Sequence, residues 1–534
     1  MKKFNSIKKL HSFFLYSISV ALLFSCTDLE IKETDSRLSS GFTGVADVNA
    51  ALDNAYNSLN GKIGDQANLF ALSEVTTDAA LIPTRGTDWG DNGIWRQLHQ
   101  HNWTSQHQYI LNVWNQWNET QLQGSQILDS RSNANAQQMG HASFLRALGM
   151  FIILDNFGQV PFRDTTAPSS QNPQVLTGSA AVDFIVSDLE SAITNLSAEV
   201  PGAGNSRANK AAARYLLAKV LLNKHVYTGA AVNTTDMNRV ISLVNEIASE
   251  GYALVSGYFD IFREQLDNET IWFIPTSVGN RIWNGLHYNS APEITGGGWN
   301  GFSTLAEFYD LFEGDPNSNV QGGSQEERRG FVPNAGLPLA SVPGGTDSNS
   351  DGFADGSNIG FGFLIGQQYN YDGTPLTDRP GAPLVFTREF LDNSGNASLI
   401  NNNERTGIRV MKYNPRYGGF ANHEIFFRFS DAHLMKAEAT MRSGGDATAM
   451  VNQLRTLRGA SSLASVTEQD LLNERGRELY AEFWRRNDMI RFGQYTKNWE
   501  FKDPAAVGDT NKNVFPIPDS QLILNPNLTQ NPGY

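Results

Sequence analysis

The sequence predicts a mainly α-helical protein, in which a tetratricopeptide-like scaffold (an α/α superhelix) carries an irregular, loop-rich subdomain. Apolar residues recur at three- and four-residue steps in the first half of the chain and again near its end, which is typical of helices with one buried face. Between these stretches, residues 255–425 are rich in Gly, Pro, Asn and Asp and contain few helical runs.

The chain begins with a segment typical of an export signal. Lysines at positions 2, 3, 8 and 9 precede an apolar run from Phe13 to Phe24, which is shorter than the roughly 20 residues needed to span a bilayer. The run ends in Leu23-Phe24-Ser25-Cys26, which resembles a lipobox, although Phe24 replaces the usual small residue. Cys26 is the only cysteine in 534 residues. We therefore expect residues 1–25 to be a lipoprotein signal peptide and Cys26 to carry lipid; the alternative is an ordinary secretory signal with a chance cysteine.

Residues 26–45 show no clear period and are predicted to be a tether, with the folded body following from residue 46. Helical patterns cover Val45–Leu59, Thr104–Leu128, His141–Asn156, Ala180–Leu196, Asn209–Tyr227, Asp431–Arg442 and Asp446–Arg458. Alanines at the expected crossing points allow close helix packing, as in tetratricopeptide repeats. Continuous 34-residue repeats are missing from the sequence, so an irregular helical domain fits the periodicity equally well. The scaffold is expected over about 46–254 and 426–500.

The irregular stretch 255–425 contains short strand-like pieces at Thr270–Ile274 and Gly407–Lys412. Such long irregular segments are uncommon in compact domains unless they serve function, and binding residues often lie on loops held by a rigid scaffold. We therefore expect much of the ligand surface in this part of the chain.

Composition excludes one class of partner and favours another. Lysine and arginine number 41 against 55 aspartates and glutamates, a net charge of −14, which argues against nucleic acid binding. The chain also has 10 tryptophans and 16 tyrosines among abundant Asn, Gln, Ser and Thr. Flat rings beside polar amide side chains suit neutral ligands rich in hydroxyl groups.

Three blocks of the sequence resemble the SusD/RagB family of nutrient-binding outer-membrane lipoproteins. The first runs from Leu81 to Trp89, with Trp95-Arg96-Gln97-Leu98-His99 after it. The second runs from Asn473 to Gly493, and the third joins Phe515-Pro516-Ile517-Pro518 to the closing residues 525–534. Their order and spacing, together with the lipoprotein start, extend the resemblance over nearly the whole mature chain.

This resemblance implies a function without chemistry. Members of the family have tetratricopeptide-like helices and an irregular subdomain, and they lie as a lid over a SusC-like TonB-dependent transporter at the cell surface. They capture oligosaccharides, less often other nutrients, and pass them to the barrel. The resemblance also makes Asp28 and Glu30, just after Cys26, candidates for a surface-export signal. We expect an outer-membrane, lipid-anchored protein facing the cell exterior.

Candidate glycan-binding residues lie in two loop regions. Arg85, Asp88 and Trp89 belong to a polar, glycine-bearing loop, in which Trp89 is either a platform for a sugar or a packed anchor of the loop. The irregular region contributes further candidates, of which Tyr413 could equally cover the scaffold: Trp283, Trp299, Asp378, Arg379 and Tyr413. We expect Trp95 and Trp103 to be core residues instead.

A separate motif at 347–355 follows the spacing of a calcium-binding loop. Its oxygen ligands would be Asp347, Asn349, Asp351 and Asp355, with the main-chain oxygen of Phe353 and a glycine at the sixth position. The twelfth position is Asn358, which lacks the usual bidentate carboxylate, and no flanking helices are evident. The alternative is a solvated turn rich in Asx residues.

The block Asn473–Gly493 gathers carboxylates and arginines at three- and four-residue spacing. Such spacing favours a structural ion-pair network over catalysis, because arginine beside a carboxylate lowers the carboxyl pKa. We therefore expect a binding protein and no enzyme. Two alternatives stay open: a surface glycoside hydrolase, for which the sequence singles out no carboxylate pair, and a peptide-binding member of the same import family.

Overall fold

The scaffold consists of consecutive helices that pack side by side in chain order. The computed structural model describes residues 42–290, 297–334, 359–370, 373–414 and 419–534, all within one unit, Asp35–Tyr534. Cys26 and the predicted calcium loop, Asp347 to Asp355, lie outside the described residues. The longer helices are α1 Val48–Gly64, α2 Ile94–Gln100, α3 Gln108–Leu128, α4 Ala136–Phe157, α5 Gly178–Asn195, α6 Lys210–Thr228 and α7 Thr234–Ser249.

Local sequence explains the limits and the spacing of these helices. Asn135 and Gln138 form a capping box at the start of α4, and Gly158, in the left-handed region at φ 69°, ends it. Glycines also set the distance between α3 and α4, since a Cβ at Gly149 would lie 2.7 Å from the main-chain oxygen of Trp117. The close approach of the two helices therefore requires glycine at that position.

The second part of the scaffold lies near the end of the chain. The short helix α8 Gly279–Gly285 belongs to the irregular subdomain, and the second part of the scaffold comprises α9 Phe429–Arg442, α10 Thr448–Leu457, α11 Glu468–Leu479, α12 Arg485–Arg491 and α13 Asp519–Leu524. All seven predicted helical stretches are confirmed within a few residues, whereas α7 and the shorter helices α2, α8, α12 and α13 are not among them. The helices form side-by-side pairs, but the tetratricopeptide interpretation of those pairs stays a prediction.

Most of the short antiparallel strands lie in the irregular subdomain. The strands are β1 Gln159–Phe162, β2 Gln174–Thr177, β3 Thr270–Ile274, β4 Ser303–Thr304, β5 Gly330–Phe331, β6 Phe361–Leu364, β7 Gly366–Gln367, β8 Val385–Phe386, β9 Ile408–Met411 and β10 Glu424–Arg428. A four-stranded sheet has the order β4-β9-β6-β5, while β3 pairs with β10. Both predicted strand pieces are present, as β3 and β9.

A buried ion-pair network joins α11 to the rest of the protein. Arg328 lies 2.7 Å from Glu474, and Arg428 and Arg458 lie 2.7 and 2.9 Å from Glu478; all five side chains are fully buried. Because these partners come from distant parts of the chain, the network ties the loop-rich part to the helices. The predicted structural role of the Asn473–Gly493 block is confirmed.

Within the described ranges, none of the helices combines the length and the apolar character that crossing a bilayer requires.

Candidate functional site

A tight hairpin presents Trp89 at the surface of the protein. The backbone of Arg85 and Asp88 exchanges two hydrogen bonds of 2.9 Å, and Gly86 takes a left-handed conformation between them. Trp89 is itself left-handed, at φ 58°, and its ring is half-buried against Trp95 in an edge-on contact. Trp95 and Trp103 are each 2% exposed, which confirms their predicted place in the core.

Two further tryptophans lie beside Trp89. Trp283 belongs to α8, and Trp299 precedes β4; the ring centroids are 6.1 Å apart and the rings are inclined by 39°. The amide of Trp299 donates to the main-chain oxygen of Trp283, at 2.5 Å. Trp299 is 39% exposed, which is unusual for so large an apolar ring. The structure therefore brings together three tryptophans that the sequence separates widely, and we call this group the platform.

Close backbone approach holds the platform together. The indole nitrogen of Trp89 donates to the main-chain oxygen of Trp299 at 2.7 Å. A Cβ at Gly301 would lie 2.7 Å from the ring of Trp89 and would overlap the side chain of Asn284. Glycine at 301 is therefore needed for the Trp89 loop and the Trp299 loop to meet.

A set of polar side chains borders the platform, and we call it the polar wall: Asp88, Tyr288, Arg379 and Glu404. The hydroxyl of Tyr288 donates to Asp88 Oδ2 at 2.8 Å, and Arg379 Nη2 donates to the same oxygen. Arg379 Nε donates to Glu404, and the guanidinium carbon lies 3.9 Å from the centre of the Tyr288 ring. The Arg379 side chain is 48% exposed, so the wall faces solvent.

Arg85 lies beneath the platform, which corrects its prediction as a ligand contact. It is 2% exposed, and its guanidinium donates to the main-chain oxygens of Asn300 and Asn403 and to the hydroxyls of Ser303 and Thr406. Burial lowers its pKa to about 9. All these acceptors are neutral, so Arg85 positions the loops and has no face left for a glycan.

Asp378 and Tyr413 are corrected for the same reason. Asp378, 4% exposed, accepts the amide of Ala382 and pairs with Arg405 at 3.2 Å, so its carboxylate holds a turn. Tyr413, also 4% exposed, packs in an apolar core of the loop-rich part, and its hydroxyl accepts the amide of Ile425. Of its two predicted roles, Tyr413 has the structural one.

Three further residues, Glu404, His287 and Arg409, belong to the site and are not predicted from the sequence. Glu404 Oε2 accepts from the amide of Arg379 at 2.8 Å and lies 3.0 Å from His287 Nε2. Arg409 donates to Asn300 Oδ1 and to the main-chain oxygen of Glu404. A sequence signal existed for His287 alone, which adjoins Tyr288 and lies near Trp283; the others depend on tertiary proximity.

The carboxyl of Glu404 is ill suited to act as a general acid. Burial acts to raise its pKa, but the hydrogen bonds from Arg379 outweigh burial and hold that pKa below its usual value. Asp88 also accepts from Arg379, so the same guanidinium engages both carboxylates of the polar wall. Among the described residues, no group of three or more metal-binding side chains is present.

Comparison with known proteins gives matches over nearly the whole chain. The model of the SusD family matches residues 268–534, and a model described as "Starch-binding associating with outer membrane" matches residues 29–222. The starch-binding protein SusD of Bacteroides thetaiotaomicron is 27% identical over 509 residues, which cover 89% of this chain and 86% of that protein.

Solved structures show the same fold. Surface glycan-binding protein A from Bacteroides uniformis has a TM-score of 0.64 at 17% identity, covering 91% of this chain and 98% of its own. The corresponding protein from Bacteroides thetaiotaomicron, in complex with laminarihexaose, has a TM-score of 0.62 at 16% identity with the same coverage. At these identities the likeness concerns the mainly α-helical fold.

Proposed function

This chain belongs to the SusD family, and from that premise we propose that it captures an oligosaccharide at the cell surface and delivers it, uncleaved, to a SusC-like TonB-dependent transporter. The observation that carries this proposal is the convergence of the platform and the polar wall at one surface site. Of the eight predicted glycan-contacting residues, five lie in this site: Asp88, Trp89, Trp283, Trp299 and Arg379.

The chemistry of the site suits a sugar. The apolar C–H face of a sugar ring packs against an aromatic ring, and its hydroxyl groups require hydrogen-bond donors and acceptors at the edge. The exposed face of Trp299 supplies the aromatic ring. Asp88 Oδ1 is available as an acceptor and Arg379 Nη1 as a donor, because neither atom bonds to any of the described residues. Because Asp88 and Arg379 bond to each other, one ion pair offers both an acceptor and a donor for the hydroxyls of a sugar.

The relatives support a carbohydrate ligand. One carries the name starch-binding protein, and another was solved with laminarihexaose. Both ligands are oligomers or polymers of a neutral sugar, which agrees with the abundance of neutral polar residues in this chain. A peptide ligand is the second candidate, since a half-exposed arginine beside aromatic rings also suits a peptide.

Binding without cleavage agrees with the state of the polar wall. A glycoside hydrolase needs one carboxylic acid with a raised pKa and a second carboxylate across the sugar. Here Arg379 bonds to both Asp88 and Glu404, and the pKa of Glu404 is lowered. This arrangement favours recognition over proton transfer.

We place the protein at the outer membrane, held by lipid on Cys26 and facing outward. The matching family model described as associating with the outer membrane supports the location, and the lipobox-like Leu23–Cys26 supports the lipid anchor. Residues 26–45 would then leave the folded body free to swing over the transporter. A calcium ion bound by the loop 347–355 is a further proposal, carried by the ligand spacing alone.

The test uses soluble protein that starts after Cys26. Calorimetric titration with maltoheptaose, laminarihexaose and a peptide panel should give saturable binding to a glycan, and chromatography after prolonged incubation should show the glycan intact. The double variant Trp89→Ala/Trp299→Ala should lose affinity. Released shorter products would support the hydrolase instead, and binding of peptides alone would support the second candidate.

A further inference from the structure

Glu404 lies where the platform and the polar wall meet. It is 8% exposed, it precedes β9 in the chain, and its two ends contact different parts of the site. Its main-chain oxygen contacts the residues that hold Trp299 in place, whereas its carboxylate contacts Arg379 of the polar wall. No other described residue bonds to both Asn300 and Arg379.

The main chain of Glu404 helps to fix the platform. Its oxygen accepts from Asn300 Nδ2 at 3.0 Å and from Arg409 Nη2 at 2.7 Å, and Arg409 Nε donates to Asn300 Oδ1 at 2.8 Å. Asn300 is left-handed, at φ 54°, and directly follows Trp299. Because a non-glycine residue in that region needs support from its surroundings, this clamp determines where the ring of Trp299 lies.

The carboxylate of Glu404 fixes the polar wall. It accepts two hydrogen bonds from Arg379, one from its amide and one from Nε. The third donor is His287. Because the amide of Asn289 donates to His287 Nδ1 at 3.1 Å, the proton of the neutral ring lies on Nε2, which donates to Glu404. Three donors converge on one carboxylate, and an amide in its place would turn an N–H toward one of them.

We propose that Glu404 is a positioning residue that sets the separation between the platform and the other residues of the polar wall, on which the affinity for a glycan depends. The part of this inference that concerns glycan affinity rests on the proposed function, whereas the part that concerns the positions of Arg379 and Trp299 does not. Arg379 is the residue through which the carboxylate acts, since its side chain is half-exposed and its Nη1 bonds to none of the described residues. Glu404 itself, being buried, contacts no ligand.

The experiment combines Glu404→Gln, Arg379→Gln and the double variant, with Asp310→Asn as the matched control. Asp310 pairs with Arg388 at 2.7 Å on an exposed surface and bonds to no residue of the platform or the wall. Titration with maltoheptaose and laminarihexaose should show that Glu404→Gln weakens binding about tenfold to hundredfold, and that the double variant is no weaker than Arg379→Gln alone. Additive losses, or wild-type affinity of Glu404→Gln, would overturn the proposal.

Hydrogen exchange of the unliganded protein tests the positioning without a glycan. Glu404→Gln should speed exchange in both 297–301 and 376–382, whereas Asp310→Asn should leave both segments unchanged. If only one segment responds, Glu404 does not join the two parts. If the wild-type protein binds neither glycan, the proposed function fails, while the exchange result still decides the positioning. If Glu404→Gln does not fold, Glu404→Asp, which keeps the charge but shortens the side chain, replaces it in both experiments.

Discussion

The indole nitrogen of Trp89 donates a hydrogen bond to the main-chain oxygen of Trp299, 210 residues further along the chain. The bond joins the first family-like block to the irregular subdomain, so the two loop regions predicted to bind ligand form one surface. It also leaves the indole of Trp89 fixed, which reduces the conformational entropy that binding must remove.

Trp299 should be the main aromatic contact, because it is the most exposed ring of the platform. We expect Trp299→Ala to weaken glycan binding by about 1–3 kcal/mol, or roughly 5- to 150-fold, as measured by calorimetric titration. Trp103→Phe, in the core, is the control and should bind like the wild type. Unchanged affinity in the double variant Trp89→Ala/Trp299→Ala would show that the platform does not bind the glycan.

Asp88 should contribute through its free oxygen and through its bonds to Tyr288 and Arg379. Replacing it by the isosteric asparagine removes the charge that holds Arg379, so we expect Asp88→Asn to lose about tenfold in affinity with little change in melting temperature. The exposed neighbour Thr87 provides the control, as Thr87→Ala. Equal affinities for Asp88→Asn and Thr87→Ala would show that the polar wall does not contribute to ligand binding.

Periodicity was enough to predict most helices, because one buried face repeats along α1 or α5 without reference to the rest of the chain. Local composition was enough to locate the aromatic candidates, since large rings near glycines are conspicuous in the sequence. Neither signal could distinguish the role of Arg85 from that of Arg379. Both are loop arginines, and burial, which decides between a positioning role and an exposed one, comes only from the fold.

Glu404 shows a second limit of the sequence. Nothing around it distinguishes it from other loop carboxylates, and its three donors come from residues 287 and 379. Its partners become neighbours only after the irregular subdomain has folded. By contrast, the spacing of charges within α11 already indicated a structural role, because side chains three and four residues apart share a helix face. Of the pairs in the network, the spacing accounts for Glu474–Arg477, whereas Arg328, Arg428 and Arg458 reach α11 only through the fold.

The calcium loop is tested most directly by metal titration. If Asp347, Asn349, Asp351 and Asp355 bind the ion, calorimetry should show saturable heat at the roughly 0.1–1 mM calcium typical of extracellular modules. The variant Asp351→Asn should remove that heat. No heat from the wild-type protein at millimolar calcium would leave the segment as an Asx-rich turn.

Cys26 should matter for uptake in cells and not for affinity in solution. We expect Cys26→Ala to abolish the membrane-bound fraction and to slow growth on the bound glycan, because each buried CH₂ of an anchor contributes about 0.8 kcal/mol. Ser25→Ala keeps a small residue before the cysteine and should behave like the wild type. Membrane attachment that survives Cys26→Ala would contradict lipidation at this position.

The buried network should make stability depend on acid pH. Burial acts to raise the pKa of Glu474, but Arg328 and Arg477 outweigh it and lower that pKa to about 2, from about 4.5 in an unfolded chain. The folded state therefore binds the proton less tightly, and the stabilisation is complete above about pH 5 and is lost as the pH falls toward 2.

Glu474→Gln should remove this contribution. Breaking a buried pair leaves Arg328 without a full counter-charge, so we expect a loss of about 3–5 kcal/mol at pH 7, measured as a lower apparent melting temperature. Between pH 5 and pH 3, the melting temperature of Glu474→Gln should fall less steeply than that of the wild type, because the titrating carboxyl is gone.

The control is Asp310→Asn, which breaks an exposed pair. It should change stability by no more than about 1 kcal/mol and keep the wild-type slope of melting temperature against pH. Parallel curves for Glu474→Gln and the wild type would show that other carboxyls govern the acid response, since arginines also lower the pKa of Glu478 in the same network and of Glu438, which pairs with Arg491 and Arg442.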